Sequence, residues 1–335
     1  MPSFTVYKGS KDGSIHKSQT TKGELKGDQV LVRITASGLC GTDEHYRTTD
    51  MALGHEGAGV VEELGPDVQY LKKGSRVGWG YHTNACGHCE MCITGRETFC
   101  PEREMYGLAN FDQGSFATQA VWREAFLHQI PENISDKDAA PLMCGGATVY
   151  NALRMYNIQP TDRVGVIGVG GLGHLAIQFA SKMGCDVVVL SGTESKKEEA
   201  MKLGANEFIA MKGKKAGDLD LGERKINALL VTTSAQPDWE LILPAMAPDS
   251  TIFPLTVSTD DFRFPYMPMI MSGLRIQGNL VAARNHHRKM LQFASQHKIK
   301  PIIQEFPLNQ DGITEAMQTL NDGKMRYRGV LVPQQ

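Results

Sequence analysis

Short apolar runs separated by polar turns make up most of the first 130 residues. They cover Val30–Thr35, Gly59–Leu64, Arg76–Trp79 and Phe116–Val121, with glycine, proline and polar residues between them. Runs of this length and composition, bounded by turn-forming residues, are typical of strands. The pattern predicts an irregular, β-rich domain with long loops.

The pattern changes near residue 138, where helical spacing begins. Ala139–Tyr156 has that spacing, and Pro160 ends it. From residue 163 the chain reads as a strand (RVGVI), a glycine-rich loop (GVGGLG), a helix (HLAIQFASKMG) and a second strand (DVVVL). A strand–helix–strand unit of this kind predicts a parallel sheet with right-handed crossovers.

Strands and helices continue to alternate towards the C-terminus. The expected helices are Lys196–Leu203, Trp239–Met246 and about 285–296, and the expected strands are Glu207–Ala210, Ala228–Thr232, Ser250–Leu255, Arg275–Gly278 and the final GVLV. The predicted fold class is therefore α/β, with a β-rich domain followed by a doubly wound parallel sheet.

Composition, charge and length narrow the kinds of protein that this chain can be. The chain has 335 residues, of which 41% are apolar and 21% charged, and its net charge is -2. That is ordinary globular composition, and the length favours two domains. Without a long basic or acidic run, we expect neither a nucleic-acid nor a membrane partner. The N-terminal MPSFTVYKGSKDGS lacks the apolar segment of a signal peptide, and no spanning helix is expected.

Four cysteines lie close together in the sequence CGHCEMCITGRETFC. Thiolates at Cys86, Cys89, Cys92 and Cys100 suit tetrahedral zinc, and four such ligands leave no open position, so the metal would be structural. The chain has seven cysteines, and only Cys185 falls outside a metal role. This use of cysteine favours a reducing, cytoplasmic setting over a disulfide framework.

A second set of possible metal ligands is spread along the chain. It consists of Cys40, His55, Glu56 and Cys144. A catalytic zinc needs three protein ligands and one exchangeable position, which two thiolates and one imidazole supply. Each residue alone has an ordinary structural interpretation, since a buried cysteine is more often an inert core residue than a ligand. The hypothesis depends on their occurrence together with the cysteine cluster and the glycine-rich loop.

The glycine-rich loop has the spacing of a dinucleotide-binding site. It runs Gly168, Val, Gly170, Gly171, Leu172 and Gly173, directly after a strand and at the start of a helix. The glycines would permit a tight turn, close approach of the pyrophosphate and close packing of helix on strand. Backbone N–H groups at the helix N-terminus would then face the phosphates.

The end of the second strand predicts which dinucleotide binds. Ser191 occupies the position where NAD-binding proteins usually carry a carboxylate, and Thr193 and Lys196 follow. Hydroxyl and ammonium groups can bind a 2′-phosphate, so NADP(H) is favoured over NAD(H). Glu194 argues the other way, and a solvated helix start capped by Ser195 or Thr193 is an alternative interpretation.

Taken together, these motifs resemble those of the zinc-dependent medium-chain alcohol dehydrogenases, especially the NADP-dependent, cinnamyl-alcohol-dehydrogenase-like branch. The resemblance covers nearly the whole chain, through CGTDEH, LGHEGAG, the four-cysteine loop, PLMCGGATVY, GVIGVGGLGHLA, SKKEEAMKLGA and RYRGVLV. It implies a GroES-like catalytic domain at 1–147 and 285–335, a Rossmann coenzyme domain at 148–284, and a homodimer.

The resemblance also implies a role for each site residue. Cys40, His55 and Cys144 would hold the catalytic zinc, with Glu56 as an alternate ligand and Asp43 orienting His55. The remaining roles are the proton relay (Thr42, His45), the 2′-phosphate contacts (Ser191, Thr193, Lys196), the pyrophosphate arginine (Arg328), the nicotinamide neighbour (Gly278) and the substrate pocket (Tyr81, Phe99, Met105). The two zinc ions and NADP(H) would serve hydride transfer between an alcohol or aldehyde and the nicotinamide.

The sequence differs in two places from the pattern of this branch, and these differences leave other functions open. Gly41 stands where this branch usually has histidine. Polyol and threonine dehydrogenases also have glycine at this position. The segment between Cys40 and His55 is also shorter than in the family, which predicts a more open entrance and a bulkier substrate. An NAD-dependent polyol or amino-alcohol dehydrogenase, or a reductase of an activated C=C or iminium bond, therefore remains an alternative.

Overall fold

Two compact units make up the chain. The computed structural model describes residues 1–219 and 221–334. One unit comprises Met1–Ala147 and Val281–Gln335, and the other comprises Thr148–Leu280. The second boundary therefore lies slightly before the residue 285 suggested by the sequence. The assignment of catalysis to one unit and coenzyme binding to the other stays a prediction.

The elements of the fold are as follows. The strands are β1 (Ser3–Lys8), β2 (His16–Thr21), β3 (Gln29–Leu39), β4 (Gly57–Leu64), β5 (Arg76–Trp79), β6 (His82–Asn84), β7 (Glu104–Met105), β8 (Gln119–Arg123), β9 (His128–Gln129), β10 (Arg163–Ile167), β11 (Asp186–Ser191), β12 (Glu207–Ala210), β13 (Ile226–Val231), β14 (Met246–Pro254), β15 (Arg275–Ile276), β16 (Ile303–Pro307) and β17 (Arg328–Val332). The α-helices are α1 (Gly41–His45), α2 (Glu90–Ile93), α3 (Asp136–Pro141), α4 (Ala147–Met155), α5 (Gly173–Lys182), α6 (Lys197–Leu203), α7 (Trp239–Ile242), α8 (Tyr266–Ser272), α9 (Arg284–His297) and α10 (Gln310–Asn321).

The first unit is built around one mostly antiparallel sheet in the order β16-β17-β3-β4-β5-β9, with β8 also pairing with β3. Strand β3 is long, and Val30, Val32 and Ile34 are fully buried because its inward-facing positions are apolar. Trp79 and Phe116 are also fully buried in this core. Two small sheets, β1-β2 and β6-β7, complete the unit.

The second unit contains a parallel sheet in the order β12-β11-β10-β13-β14-β15. Strands β10, β11 and β13 are buried along nearly their whole length, as expected for a parallel sheet covered on both faces. The strand order reverses between β10 and β13, and ligands of such sheets bind beyond the carboxyl ends of the strands at this point.

Several boundaries differ from the predictions. The expected helix Trp239–Met246 is wrong at its end: α7 stops at Ile242, a 3-10 turn follows, and Met246 begins β14. Pro244 disfavours a longer helix because it lacks the N–H that continues the hydrogen bonding. The expected helix Ala139–Tyr156 is divided into α3 and α4 by a π-helical turn, Leu142–Gly146. Strand β15 ends at Ile276, before Gly278.

None of the helices within residues 1–219 and 221–334 combines the length and apolar character that crossing a lipid bilayer demands.

Candidate active site and metal centres

The four-cysteine loop brings its sulfur atoms together around α2. The Sγ atoms of Cys86 and Cys92 are 3.9 Å apart, and those of Cys86 and Cys100 are 3.6 Å apart. A zinc–sulfur distance of about 2.3 Å gives a tetrahedral edge of about 3.8 Å, so these separations fit one zinc ion. All four sulfur atoms, including that of Cys89, lie within 4.8 Å of one another. A further group, Cys86 with His88 and Glu102, shares a thiol with this site.

The second group of donors also converges. The ligand atoms of Cys40, His55, Glu56 and Cys144 lie within 4.8 Å of one another. Cys40 follows β3, and His55 and Glu56 directly precede β4, so the pairing of these two strands brings them to the same end of the sheet. Cys144 reaches them from the π-helical turn, a distortion that is frequent at functional sites.

One ring nitrogen of His55 is left available for a metal. Its Nδ1 lies 2.9 Å from Oδ1 of Asp43, whose Oδ2 accepts the backbone N–H of Cys40. Both His55 and Asp43 are buried. The Nε2 of His55 has no hydrogen-bond partner within the part of the chain that the structure describes. A histidine that donates Nδ1–H to a carboxylate and leaves Nε2 free has the arrangement usual for metal ligands.

The ligand side chains of the site shift one another's pKa values. A hydrogen bond with Cys144 holds the pKa of Cys40 well below its usual value, and a hydrogen bond with His55 and the charge of His55 lower it further. The hydrogen bond between the two cysteines raises the pKa of Cys144, because two adjacent thiols cannot both ionise without compensation. Burial alone would lower the pKa of His55, but the charge of Asp43 raises it well above its usual value. A bound divalent cation would stabilise both thiolates at once.

Glu56 forms a buried ion pair with Arg328. The Nη2 atom of Arg328 contacts both carboxylate oxygens of Glu56, and both side chains are buried. Gly38 makes room for the pair, since a Cβ there would lie 2.0 Å from Oε2 of Glu56. Burial raises the pKa of Glu56 to about 7, although the charge of Arg328 opposes this shift. The proposed contact of Arg328 with a pyrophosphate stays a prediction.

The relay and pocket residues occupy different surroundings. Oγ1 of Thr42 lies 3.7 Å from Sγ of Cys40, and His45 is exposed at the end of α1. The Tyr81 ring meets the His55 ring edge-on at 5.5 Å, so this pocket candidate lies beside the metal ligands. The other two candidates lie further along the chain. Met105 is buried in β7, and Phe99 ends a 3-10 turn next to the last cysteine of the loop.

Tyr106 is a contact of the site that the sequence analysis missed. Its ring packs against His55, with 4.8 Å between ring centroids, and its hydroxyl accepts the backbone N–H of Gly54 at 3.0 Å. No motif spacing marks this residue, because it follows β7 in an irregular loop. Its place beside an imidazole depends on contacts between distant segments.

In the second unit, the three spaced glycines of the loop meet the demands of a phosphate-binding turn. Gly168 has φ +92°, which favours glycine. Around a Cβ position on Gly170, no described residue other than its two chain neighbours has an atom within 4 Å. A Cβ on Gly173 would lie 2.0 Å from the carbonyl oxygen of Gly168, so α5 approaches the loop closely. Nζ of Lys196 donates to the carbonyl oxygen of Val169 at 2.6 Å. The loop therefore leaves space beside a basic side chain.

The residues beyond β11 are polar and exposed or half-buried. Ser191 ends the strand, and the hydroxyl groups of Thr193 and Ser195 lie 2.8 Å apart. Glu194 is exposed and pairs with Lys197 at 3.1 Å, so its negative charge is partly compensated. Partial burial lowers the pKa of Lys196, whose side chain donates to the glycine-rich loop.

A cavity of about 520 Å³ lies at the carboxyl ends of the central strands of the second unit. Thr233, Thr256, Ile276 and Gly278 are among its lining residues. The hydroxyl of Tyr156 donates to the carbonyl oxygen of Gly278 at 3.0 Å, which fixes the main chain there. The cavity occupies the part of a doubly wound sheet where dinucleotides bind.

Two family models match most of the chain. Residues 26–132 match "Alcohol dehydrogenase GroES-like domain" and residues 171–296 match "Zinc-binding dehydrogenase". The chain belongs to the zinc-dependent medium-chain alcohol dehydrogenase family. The predicted family and the predicted fold class, a GroES-like domain with a Rossmann-type domain, are thereby confirmed.

Individual proteins that are similar over most of their length agree with this membership. This alcohol dehydrogenase is 34% identical to "Probable formaldehyde dehydrogenase AdhA" of Bacillus subtilis, over 92% of this chain and 90% of that one. It is 31% identical to "NADP-dependent alcohol dehydrogenase C 1" of Mycolicibacterium smegmatis, over 94% and 93%. Among solved structures, cinnamyl alcohol dehydrogenase SbCAD4 from Sorghum bicolor is similar, with a TM-score of 0.88, 28% identity and coverage of 99% and 98%.

Proposed function

We propose that this alcohol dehydrogenase is a zinc-dependent, NADP(H)-using enzyme that interconverts aldehydes and alcohols. The observation that carries the proposal is the convergence of half-buried Cys40 with buried His55 and Cys144, where Nε2 of His55 has no hydrogen-bond partner among the described residues. Three such ligands leave one position for a substrate oxygen, as catalytic zinc sites require. The four-cysteine loop would hold a second, structural zinc.

When bound, zinc supplies a Lewis acid for a carbonyl or alcohol oxygen, and the nicotinamide supplies or accepts the hydride. The protein's own groups would orient these partners and move the proton. Asp43 fixes the ring of His55 through Nδ1. Thr42 would hold the substrate proton at Oγ1 beside Cys40, and the exposed His45 would exchange it with solvent.

The preference for NADP(H) rests on the polar segment after β11. Ser191, Thr193 and Lys196 offer hydroxyl and ammonium donors for a 2′-phosphate. Glu194, which favours NAD(H), is paired with Lys197. The similarity to a relative named as NADP-dependent supports the same choice. Gly41, open on its Cβ side, keeps an NAD-dependent polyol dehydrogenase as the second candidate.

A spectrophotometric panel tests both candidates. Aliphatic, aromatic and bulky aldehydes are assayed with NADPH and with NADH at equal concentration, by loss of absorbance at the reduced nicotinamide band. We expect turnover with NADPH, its loss in Cys40→Ser, and its retention in the control Cys185→Ser. Lys196→Met should raise KM for NADPH more than for NADH. A clear wild-type preference for NADH would reject the cofactor assignment, and full activity of Cys40→Ser would reject the zinc mechanism.

We also propose that the enzyme is a cytoplasmic homodimer. None of the seven cysteines, all of which lie in the described residues, forms a disulfide, and this suits a reducing compartment. Strand β15 lies at the edge of its sheet with Arg275 and Ile276 exposed, and α8 nearby exposes Tyr266, Met267 and Met271. An exposed strand edge beside apolar side chains favours pairing with a second copy. Light scattering should give a molar mass twice that of one chain. The Met271→Asp variant should have a molar mass closer to that of a single chain.

A further inference from the structure

Tyr106 is anchored at both its backbone and its hydroxyl. It follows β7, is 5% exposed, and its N–H donates to the carbonyl oxygen of Tyr81 at 2.8 Å. The phenol oxygen accepts the N–H of Gly54, the residue immediately before His55. Because both ends of the side chain are held, its ring has a fixed position.

The segment that Tyr106 holds has little freedom of its own. Gly54 has φ +93°, and a Cβ there would lie 2.5 Å from atoms of both Ser115 and Phe116. The peptide is therefore packed tightly and needs a glycine. Its N–H donor is satisfied by a tyrosine hydroxyl rather than by the sheet, so removal of that oxygen leaves a buried donor unpaired.

The same tyrosine also contacts the imidazole and its carboxylate partner. The rings of Tyr106 and His55 are 4.8 Å apart and inclined by 33°. Burial raises the pKa of Tyr106, and the charge of Asp43 and a hydrogen bond with it act in the same direction. Because the oxygen accepts from Gly54, the phenolic proton is free to face Asp43.

We propose that Tyr106 is a positioning residue for the metal ligand His55. It would hold the backbone before His55, limit rotation of the imidazole and orient the Asp43 carboxylate that fixes the ring. Groups that orient a ligand histidine affect metal affinity although they never touch the metal. This role rests on the proposed zinc function, because it assumes that Cys40, His55 and Cys144 bind an ion.

Metal retention in Tyr106→Phe tests the proposal. This variant keeps the ring and removes the hydroxyl, and native mass spectrometry counts zinc ions per chain during competition with a chelator. We expect the ion held through His55 to bind about tenfold more weakly or worse. The four-cysteine ion is the internal reference and should leave at the wild-type concentration of chelator. Variants Cys40→Ser and Cys89→Ala assign each loss to its site.

Tyr46→Phe is the matched control. The Tyr46 ring meets that of Tyr106 edge-on at 5.3 Å, but its hydroxyl does not contact the N–H of Gly54. The Tyr46→Phe variant should retain both zinc ions as the wild type does. After cobalt substitution, Tyr106→Phe should also change the visible absorption of the His55 site, which a general loss of stability would not do.

The outcomes separate this inference from the function on which it rests. Equal chelator resistance and an unchanged cobalt spectrum in Tyr106→Phe would overturn the role of Tyr106. Loss of both ions together would overturn it as well, because it would indicate general unfolding. A wild-type protein without an ion at Cys40, His55 and Cys144 would instead reject the proposed function itself.

Discussion

We expect a buried histidine to make the stability of the first unit depend on pH. His82 in β6 is 8% exposed, and neither ring nitrogen has a hydrogen-bond partner in the described part of the chain. Burial lowers the pKa of His82 to about 4, and the nearby His287 adds to the effect. His128, stacked on His287, also has its pKa lowered by burial. We expect these side chains to be neutral in the folded protein.

The sign and size of the effect follow from proton linkage. An unfolded histidine takes up a proton below about pH 6.5, whereas folded His82 stays neutral until about pH 4. The unfolded state therefore binds more protons in this window, and stability falls as the pH falls through it. With these two pKa values, His82 alone should lower the free energy of unfolding by about 2 kcal/mol between pH 8 and pH 5.

Urea unfolding at pH 5, 6, 7 and 8 measures this slope. The chain has three tryptophans, and Trp79 and Trp122 belong to the first unit. A Trp239→Phe background therefore confines the fluorescence signal to that unit. The variant His82→Asn cannot titrate, so any packing cost that it causes should be the same at every pH.

The difference between the two proteins decides the outcome. His82→Asn should lose less stability on acidification than its parent, by about 2 kcal/mol at pH 5 relative to pH 8. Protonation of the cysteine ligands affects both proteins equally and cancels in the comparison. Parallel pH curves would show that His82 titrates normally, and the reasoning from its burial would then be wrong.

Three further outcomes are expected. Cys89→Ala should lose one zinc ion by mass spectrometry and melt at a lower temperature, whereas Cys185→Ala should keep both ions. Arg328→Met should cost about 3–5 kcal/mol in urea unfolding, because Glu56 loses its buried partner and, with a pKa already raised to about 7, must take up a proton to stay buried. Glu56→Met in the same chain should recover much of this loss. Gly173→Ala should weaken NADPH binding in fluorescence titrations, because its Cβ would meet a loop carbonyl oxygen at 2.0 Å.

Local sequence predicts the second unit well. The strand–loop–helix pattern from residue 163 identifies β10, α5 and β11, because neighbouring elements of a parallel sheet follow one another along the chain. The end of α7, the helix before β14, is harder to predict from the sequence. Met246 joins β14 through its pairing with Ile226 in β13, and that contact overrides the helical spacing.

Contacts between distant segments explain what the sequence could not predict at the metal site. Spacing identifies Cys40 and His55 as candidates, but only the pairing of β3 with β4 shows why they meet. Arg328 reaches Glu56 because β17 pairs with β3, with Gly329 opposite Leu39. Such registers depend on the tertiary fold, and nothing in the local composition near Arg328 indicates them.

The division of the first unit between two stretches of chain has a consequence for biosynthesis. Strand β17 lies between β16 and β3 in the sheet, yet it leaves the ribosome only after all of the second unit. The second unit is continuous and can fold as soon as it emerges. Until translation passes residue 332, the end of β3 at residues 37–39 lacks its partner strand, and this short edge is open to chaperones or to mispairing with other nascent chains.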